Sequence, residues 1–248
     1  MALLKSIIIW IAGISVLVLL FPVTFIIWVL VLPFDKDRII IHSILIFQGI
    51  ILTRILSFRR IVFEGREKIV KGTTYVIISN HQSIIDTLLL YGLSYKFKWI
   101  SKIENVKVPI LGWYLKMADY IIVNRGNEES KAEMLERSYK CLKKGISIMI
   151  FPEGTRSLNT EIGFFKRGAF QLAIQAGVPI LPVIIDGTGS ILPKHGMIFD
   201  NSHHLSVRVL DPILPAAFET DNPDVLALRI NGLMISELKD MRAKNLVS

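Results

Sequence analysis

Residues 7–34 carry no charged side chain. As a helix, at about 1.5 Å per residue, that stretch would be roughly 42 Å long, more than the ~30 Å hydrocarbon core of a bilayer. It exceeds the ~7–15 residue apolar core of a cleaved signal peptide, and no small-residue cleavage site follows it. Pro22, near its middle, is expected to kink or break the helix. After Asp35-Lys36-Asp37-Arg38 a second apolar run covers residues 39–52 and carries His42, Ser43 and Gln48. It is short of the ~17–25 residues needed to span. Two arrangements fit: a helical hairpin, or one helix dipping into the bilayer and one lying along its interface. Both predict membrane association. His42 is read as a buried or interfacial polar residue rather than a proton relay.

The chain has 248 residues, 52% hydrophobic, with a mean hydropathy of +0.50. That excludes a disordered chain and leaves enough residues for one sizeable domain after the apolar segment. The expected division is a membrane-associated helical segment, 1–57, and an α/β domain, 58–248. Cys141 is the single cysteine, so an intrachain disulfide or multi-cysteine metal site is excluded. It is read as a small core residue of a helix. The net charge of +8 suits an acidic partner: nucleic acid, an anionic membrane surface or a phosphorylated substrate. Arg54, Arg59, Arg60, Arg66, Lys68 and Lys71 follow the apolar runs against only Glu64 and Glu67. Contact with anionic headgroups, worth roughly 1 kcal/mol per charge near the surface, explains that placement. Nucleic acid is disfavoured, because the basic residues do not alternate with aromatics and no reading helix is apparent.

β-Branched runs at 75–79, 120–124, 146–151 and 180–185 predict buried strands, and 205–210 alternates as a strand nearer an edge would. Helices are predicted over 128–144, with Leu135, Tyr139 and Leu142 on one face, and over 166–176, ended by Gly177 and Pro179. A last helix is predicted from about Asn222, with Pro223 at its first position, to about Arg242. Such alternation predicts a mixed, largely parallel sheet covered by helices.

Two strand ends carry chemistry. Asn80-His81-Gln82-Ser83-Ile84-Ile85-Asp86 places a histidine and an aspartate five positions apart. On one continuous helix five residues turn by about 140°, so the two would not face each other. They can meet if His81 lies in the turn and the helix starts near Ser83, with Ser83 as its cap and Asp86 in its first turn. Asp86 then fixes the imidazole tautomer and leaves the other nitrogen free as a base. The bland alternative is a structural turn histidine beside a helix-capping aspartate. The second end is Phe151-Pro152-Glu153-Gly154-Thr155-Arg156-Ser157. Arg156 can bind a phosphate with two hydrogen bonds, Thr155 and Ser157 offer hydroxyls, and Gly154 lets backbone approach a ligand. Glu153 can bond a substrate hydroxyl or orient Arg156. Here too the alternative is a plain turn with a local Glu–Arg pair.

Together the two blocks resemble the glycerolipid acyltransferase family, of the 1-acylglycerol-3-phosphate O-acyltransferase type. Tyr120-Ile-Ile-Val-Asn-Arg125, Phe165-Lys-Arg-Gly-Ala-Phe170 and Val178-Pro-Ile-Leu-Pro-Val183 are similar to further blocks of that family, in the same order. The likeness covers residues 73–186. Asp119 stands where the family usually has glycine, and Asn124 where an acidic residue is common. The resemblance implies transfer of a fatty acyl group from a thioester, acyl-CoA or acyl carrier protein, to the sn-2 hydroxyl of lysophosphatidic acid, giving phosphatidic acid. It implies His81 as base, Asp86 as its orienting partner, and Arg156 on the phosphate with Arg125 and Lys102 as helpers. Backbone N–H groups near Gly154, or Lys102, would serve the oxyanion. It implies no cofactor, no metal and no acyl-enzyme, and membrane lipids as partners. A bacterial inner membrane, with the α/β domain on the cytoplasmic side, is the expected location. Alternatives are another lysophospholipid or glycerol-based acceptor, and a non-catalytic lipid-binding protein on the same fold. His195, His203 and His204, near Asp200, lack cysteine or glutamate at ligand spacing, so no metal site is expected. Gly187-Thr188-Gly189 is too short for a nucleotide loop.

Overall fold

The structure is a computed structural model that describes residues 2–56, 61–200 and 204–245. The uncharged stretch forms one helix, α1 (Ala2–Val31), which continues through Pro22. Proline deletes a single N–H, and the helix is continuous on both sides of it; Thr24 Oγ1 adds a side-chain bond to Leu20 O at 2.9 Å. The expected break does not occur. After a tight turn α2 (Ile39–Leu56) folds back along α1. Asp35 starts α2 by accepting Ile39 N–H at 2.7 Å and Ile40 N–H at 2.9 Å. Gln48 on α2 donates to Thr24 on α1 at 2.7 Å. The two segments are therefore a helical hairpin.

One stripe of α1, Ile9, Trp10, Leu17, Phe21, Trp28 and Val31, packs into the protein. The opposite stripe, Leu19, Val23, Ile26 and Leu30, is bare. The first turns of α1 also hold the segment 192–199: Trp10 Nε1 donates to Met197 O and Phe199 N–H to Ser6 Oγ, both at 2.9 Å.

Seven strands form the sheet: β1 (Ile61–Glu64), β2 (Val76–Ser79), β3 (Phe97–Lys102), β4 (Ile121–Val123), β5 (Ser147–Ile150), β6 (Ile180–Asp186) and β7 (Leu205–Val209). Their order is β1-β7-β6-β2-β5-β3-β4, parallel throughout except for the β6–β7 pair. In the centre Ile77 lies opposite both Met149 and Leu181. Expectation and structure differ at two strands, β1 and β3, which the apolar pattern does not reveal. β7 lies one strand inside the edge, near it as expected. β3 was hidden by Lys98, which interrupts its apolar run. Lys98 is buried because it has partners: it donates to Ala118 O and pairs with Asp119 at 3.2 Å. Asp119 sits at φ 50°, a conformation that glycine adopts freely. Its carboxylate, held by Lys98 and Arg137, accompanies the departure from the family's glycine.

Alternate residues of each strand face opposite layers. Ile77, Met149, Leu181 and Trp99 share one cluster with Ile9, Ile41 and Leu45 of the hairpin and with α3 (Ile85–Tyr91). Val76, Ile78, Ile148 and Ile184 share the other with α6 (Glu128–Lys143), α7 (Gly168–Ala176) and α9 (Pro223–Asn245). Short helices α4 (Ile103–Val106), α5 (Leu111–Met117) and α8 (Thr188–Ile191) complete the layers. Cys141 is half-buried in α6, where burial raises its thiol pKa. His42 is buried, with Nδ1 2.7 Å from Tyr120 Oη and Nε2 accepting Phe97 N–H at 3.2 Å. Of the basic run after the hairpin, Arg54, Arg66 and Lys71 are exposed and Lys68 pairs with Asp211 at 2.9 Å. Arg59, Arg60 and the 57/58 division lie outside the described residues.

Candidate active site

Strands β2, β5, β3 and β4 are adjacent and parallel, so their C-terminal ends meet along one edge. Open α/β sheets bind ligands at such an edge. β2 delivers His81, β5 delivers Glu153 to Arg156, β3 ends at Lys102 and β4 leads to Arg125. At about 4.8 Å per strand, Lys102 and Arg125 lie roughly 10 and 14 Å along the edge from His81.

His81 Nδ1 is 2.8 Å from Asp86 Oδ2. The same oxygen accepts Gln82 N–H at 2.6 Å and Ser83 N–H at 2.9 Å. Asp86 Oδ1 accepts the Thr188 hydroxyl at 2.5 Å, and the carboxylate is wholly buried. α3 starts at Ile85, and Asp86 gathers the Gln82 and Ser83 N–H groups ahead of it. Ser83 Oγ accepts Ile85 N–H at 3.4 Å, as a cap would, and donates to Leu192 O at 2.7 Å. A carboxylate only accepts, so Nδ1 carries the proton and Nε2 presents its lone pair. The ring stacks on Phe151, centroids 3.8 Å apart and 7° from parallel. Phe151 in turn lies against Trp99. His81 is thus held in plane and in tautomer, and Nε2 can accept a proton from a bound group.

The turn around His81 is anchored on three sides. The Asn80 amide makes two 2.8 Å bonds to the Ile185 backbone of β6. Gln82 donates to Thr160 O at 2.9 Å. His81 O accepts Ser157 N–H at 2.7 Å, which ties the two motifs together. Glu153 does not orient Arg156. Its Oε1 accepts His81 N–H at 2.8 Å and its Oε2 accepts Gly163 N–H at 2.9 Å. It is a buried clamp on the histidine turn rather than a partner of Arg156. Burial pushes its pKa up to about 6, against the two N–H bonds that lower it, and nearby Asp86 adds to the rise.

Arg156 has no hydrogen-bond or ion-pair partner among the described residues, and its guanidinium is available to an anion. Gly154 N–H donates to Phe151 O at 3.0 Å and closes the turn, so that group is not open to an oxyanion. Lys166 lies against Gly154, and Lys194 donates to Thr155 Oγ1 at 3.0 Å. Lys102 pairs with Glu104 at 3.2 Å. Arg125 is exposed and shares the field of Glu104. Asn124 turns its side chain back to Gly126 N–H at 3.1 Å, so an amide serves the turn there. No group of three His, Cys, Asp or Glu is placed to hold a metal among the described residues, and His203 lies outside them.

Three residues of the site were not singled out as functional from sequence. Thr188 and Gln82 contact the His81–Asp86 unit directly. Arg242 on α9 bonds Asp186 at 3.0 Å, Glu161 at 2.6 Å and Thr160 O at 3.0 Å, and so holds the loop beyond Arg156.

Glu153 offers a stability test. Its pKa of about 6 in the fold lies above the ordinary glutamate value of 4.5, so its favourable contribution is full below 4.5 and lost as pH rises through 6. The expected loss is about 2 kcal/mol. Glu153→Gln cannot titrate, and its amide satisfies only one of the two N–H donors. Urea unfolding at pH 4.5 and pH 7 should show wild type losing this increment and the variant not.

The sheet thus carries a buried carboxylate–imidazole pair at its C-terminal edge, beside a guanidinium with no partner among the described residues. The Acyltransferase family model matches residues 60–186, and the chain belongs to that family. It is 36% identical over 168 residues to a 1-acyl-sn-glycerol-3-phosphate acyltransferase of Pseudomonas aeruginosa, covering 67% of this chain and 64% of that one. It is 39% identical over 159 residues to a chloroplastic protein of the same name in Arabidopsis thaliana, covering 63% of this chain and 44% of that one. The chain spans about half the length of this and other plant and algal relatives, 44% to 52%. The crystal structure of the 1-acyl-sn-glycerophosphate (LPA) acyltransferase of Thermotoga maritima superposes with a TM-score of 0.83 at 25% identity, covering 98% of this chain and 96% of that one.

Proposed function

We propose that this chain transfers a fatty acyl group from an acyl thioester to the sn-2 hydroxyl of 1-acylglycerol-3-phosphate, forming phosphatidic acid. The observation that carries the reading is the His81–Asp86 pair one strand from the unpartnered Arg156. Arg156 holds the acceptor phosphate, with Lys102 and Arg125 extending the positive edge. Nε2 of His81 takes the hydroxyl proton as the oxygen attacks the thioester carbonyl. The carbon–sulfur bond then breaks, and the thiolate leaves and recovers the proton from the imidazolium. Asp86 stabilises the imidazolium meanwhile. Thiols ionise near ~8.5, so the leaving group needs no metal and the hydroxyl can attack directly without an acyl-enzyme. Lys102 and the backbone N–H groups of Thr155 and Arg156 are the donors left for the oxyanion. Acyl-CoA and acyl carrier protein both supply the required thioester.

The bare stripe of α1 supports seating the helical hairpin in a lipid surface, with the domain at its edge, where acceptor and product reside. Thioester donors are made in the cytoplasm, so the domain faces that side; in a bacterium the surface is the inner membrane. Offering wild type lysophosphatidic acid, lysophosphatidylcholine and lysophosphatidylethanolamine with a long-chain acyl-CoA tests the reading. Phosphatidic acid should be the favoured product. Arg156→Ala should lower kcat/KM for lysophosphatidic acid about 10–100-fold, the value of hydrogen bonds to a charged group. A preference for a choline or ethanolamine acceptor would refute the assignment of Arg156.

A further inference from the structure

We infer that Thr188 is a positioning residue for the catalytic pair, a third member of a hydrogen-bonded chain that runs from Thr188 through Asp86 to His81. The inference rests on the acyltransferase reading and names a residue which that reading does not use. Thr188 is wholly buried and follows β6, far in sequence from the histidine motif. Its hydroxyl lies 2.5 Å from Asp86 Oδ1 and 3.3 Å from Gln82 Oε1. It has one proton to give, and the shorter contact is to the carboxylate. Asp86 Oδ2 already serves His81 and two backbone N–H groups, so Thr188 supplies the donor on the other oxygen. That pins the carboxylate plane from the side opposite the imidazole.

The backbone is built to bring the hydroxyl there. Gly187 sits at φ 91°, and a Cβ on it would meet His204 O at 2.0 Å. Only glycine makes this turn, and the turn aims Thr188 at Asp86. Asp186, on the other side of Gly187, is held at 3.0 Å by Arg242. Gly189 N–H reaches Gln82 Oε1 at 3.3 Å, which holds the same turn to the histidine motif.

Thr188 therefore acts on His81 through Asp86. A carboxylate deprived of one donor holds its charge less diffusely and attracts an imidazolium more strongly. The other charged groups around the pair are Glu153 from β5, the Asp186–Arg242 pair, Arg156, Lys166 and Lys194. All are retained in a Thr188 variant, so the difference between profiles reports Thr188.

The experiment is the pH dependence of kcat/KM for lysophosphatidic acid in wild type, Thr188→Val and Thr188→Ser, with circular dichroism to confirm folding. Valine should move the acidic limb upward by about half to one unit and lower kcat/KM near neutrality about tenfold. Serine should restore both. A valine variant with its limb unmoved, or a serine variant as impaired as valine, overturns the inference. A purely structural role would reduce the amount of active protein and leave the limb in place. Should valine fold poorly, Thr188→Ala replaces it, and coincident alanine and serine limbs overturn the inference. Phosphatidic acid formation by wild type and its loss in His81→Ala are measured first. Failure there refutes the acyltransferase reading itself, whereas an unmoved limb in an active enzyme refutes only the role of Thr188.

Discussion

His81→Ala is expected to lower acyl transfer to lysophosphatidic acid by about 10²–10⁴-fold, the usual worth of a positioned base. The loss should fall on kcat more than on KM, because Arg156 and the strand edge still bind the phosphate. The fold should survive. The ring forfeits its stack on Phe151, worth about 0.5–1.5 kcal/mol, while Asp86 keeps Gln82, Ser83 and Thr188 as donors. Asp86→Asn is the finer probe. Its amide oxygen can stay toward Nδ1 and the two backbone N–H groups, and its NH2 can turn to the Thr188 hydroxyl, which then accepts. Geometry is kept and only the charge opposite the imidazolium goes. A drop of about a hundredfold or more is expected. Full turnover by either variant, folded and measured with a continuous thiol-release assay, would sink the mechanism.

The second large effect concerns the bilayer. Leu19 is 72% exposed and Ile26 58%, seven residues apart on the bare stripe of α1. Lysine at the centre of a membrane-embedded helix costs about 2.5–3.5 kcal/mol. Leu19→Lys/Ile26→Lys should therefore shift the protein from liposome pellet to supernatant by several orders of magnitude in partitioning. Neither residue is among those packed into the core cluster, so turnover in detergent micelles should persist. Flotation with acyl-transfer assays in liposomes and in micelles separates the two losses. Undiminished flotation of the double variant would mean that this stripe does not face lipid.

What the sequence disclosed and what it withheld follow from distance along the chain. His81, Asp86 and Arg156 sit in two runs of seven residues at strand ends, and a run that short exposes its chemistry to inspection. The sheet was legible wherever β-branched residues cluster, as in β2, β5 and β6. β3 was not, because Lys98 looks like a surface residue until Ala118 O and Asp119 are folded against it. The partners of Glu153 are hidden for a related reason. A cation, Arg156, stands three positions on, but the carboxylate bonds the N–H groups of His81 and Gly163, and backbone donors leave no mark in a sequence. Ser83 bonds Ile85 N–H, as a serine ahead of a helix suggests, but Asp86 also gathers the N–H groups of Gln82 and Ser83 and the imidazole, which its place inside the helix does not announce. Thr188 could be noticed only as part of a glycine-flanked triplet, with nothing local to tie it to Asp86 102 positions away.

The hairpin is not a tether. α2 approaches α3 so closely that a Cβ on Gly49 would lie 2.5 Å from the Tyr91 ring, and α3 is the helix that carries Asp86 in its first turn. α1 grips the segment 192–199, whose Lys194 reaches Thr155 beside Arg156. The hairpin, which the proposed function seats in lipid, is thus bolted to both halves of the site. On that reading such a machine would work at one altitude. The free nitrogen of His81 would ride at a constant height above the acyl chains, like the blade of a plane set by its sole. A hydroxyl at the level of the glycerol backbone would pass under it, and one carried further out on a larger headgroup would pass above.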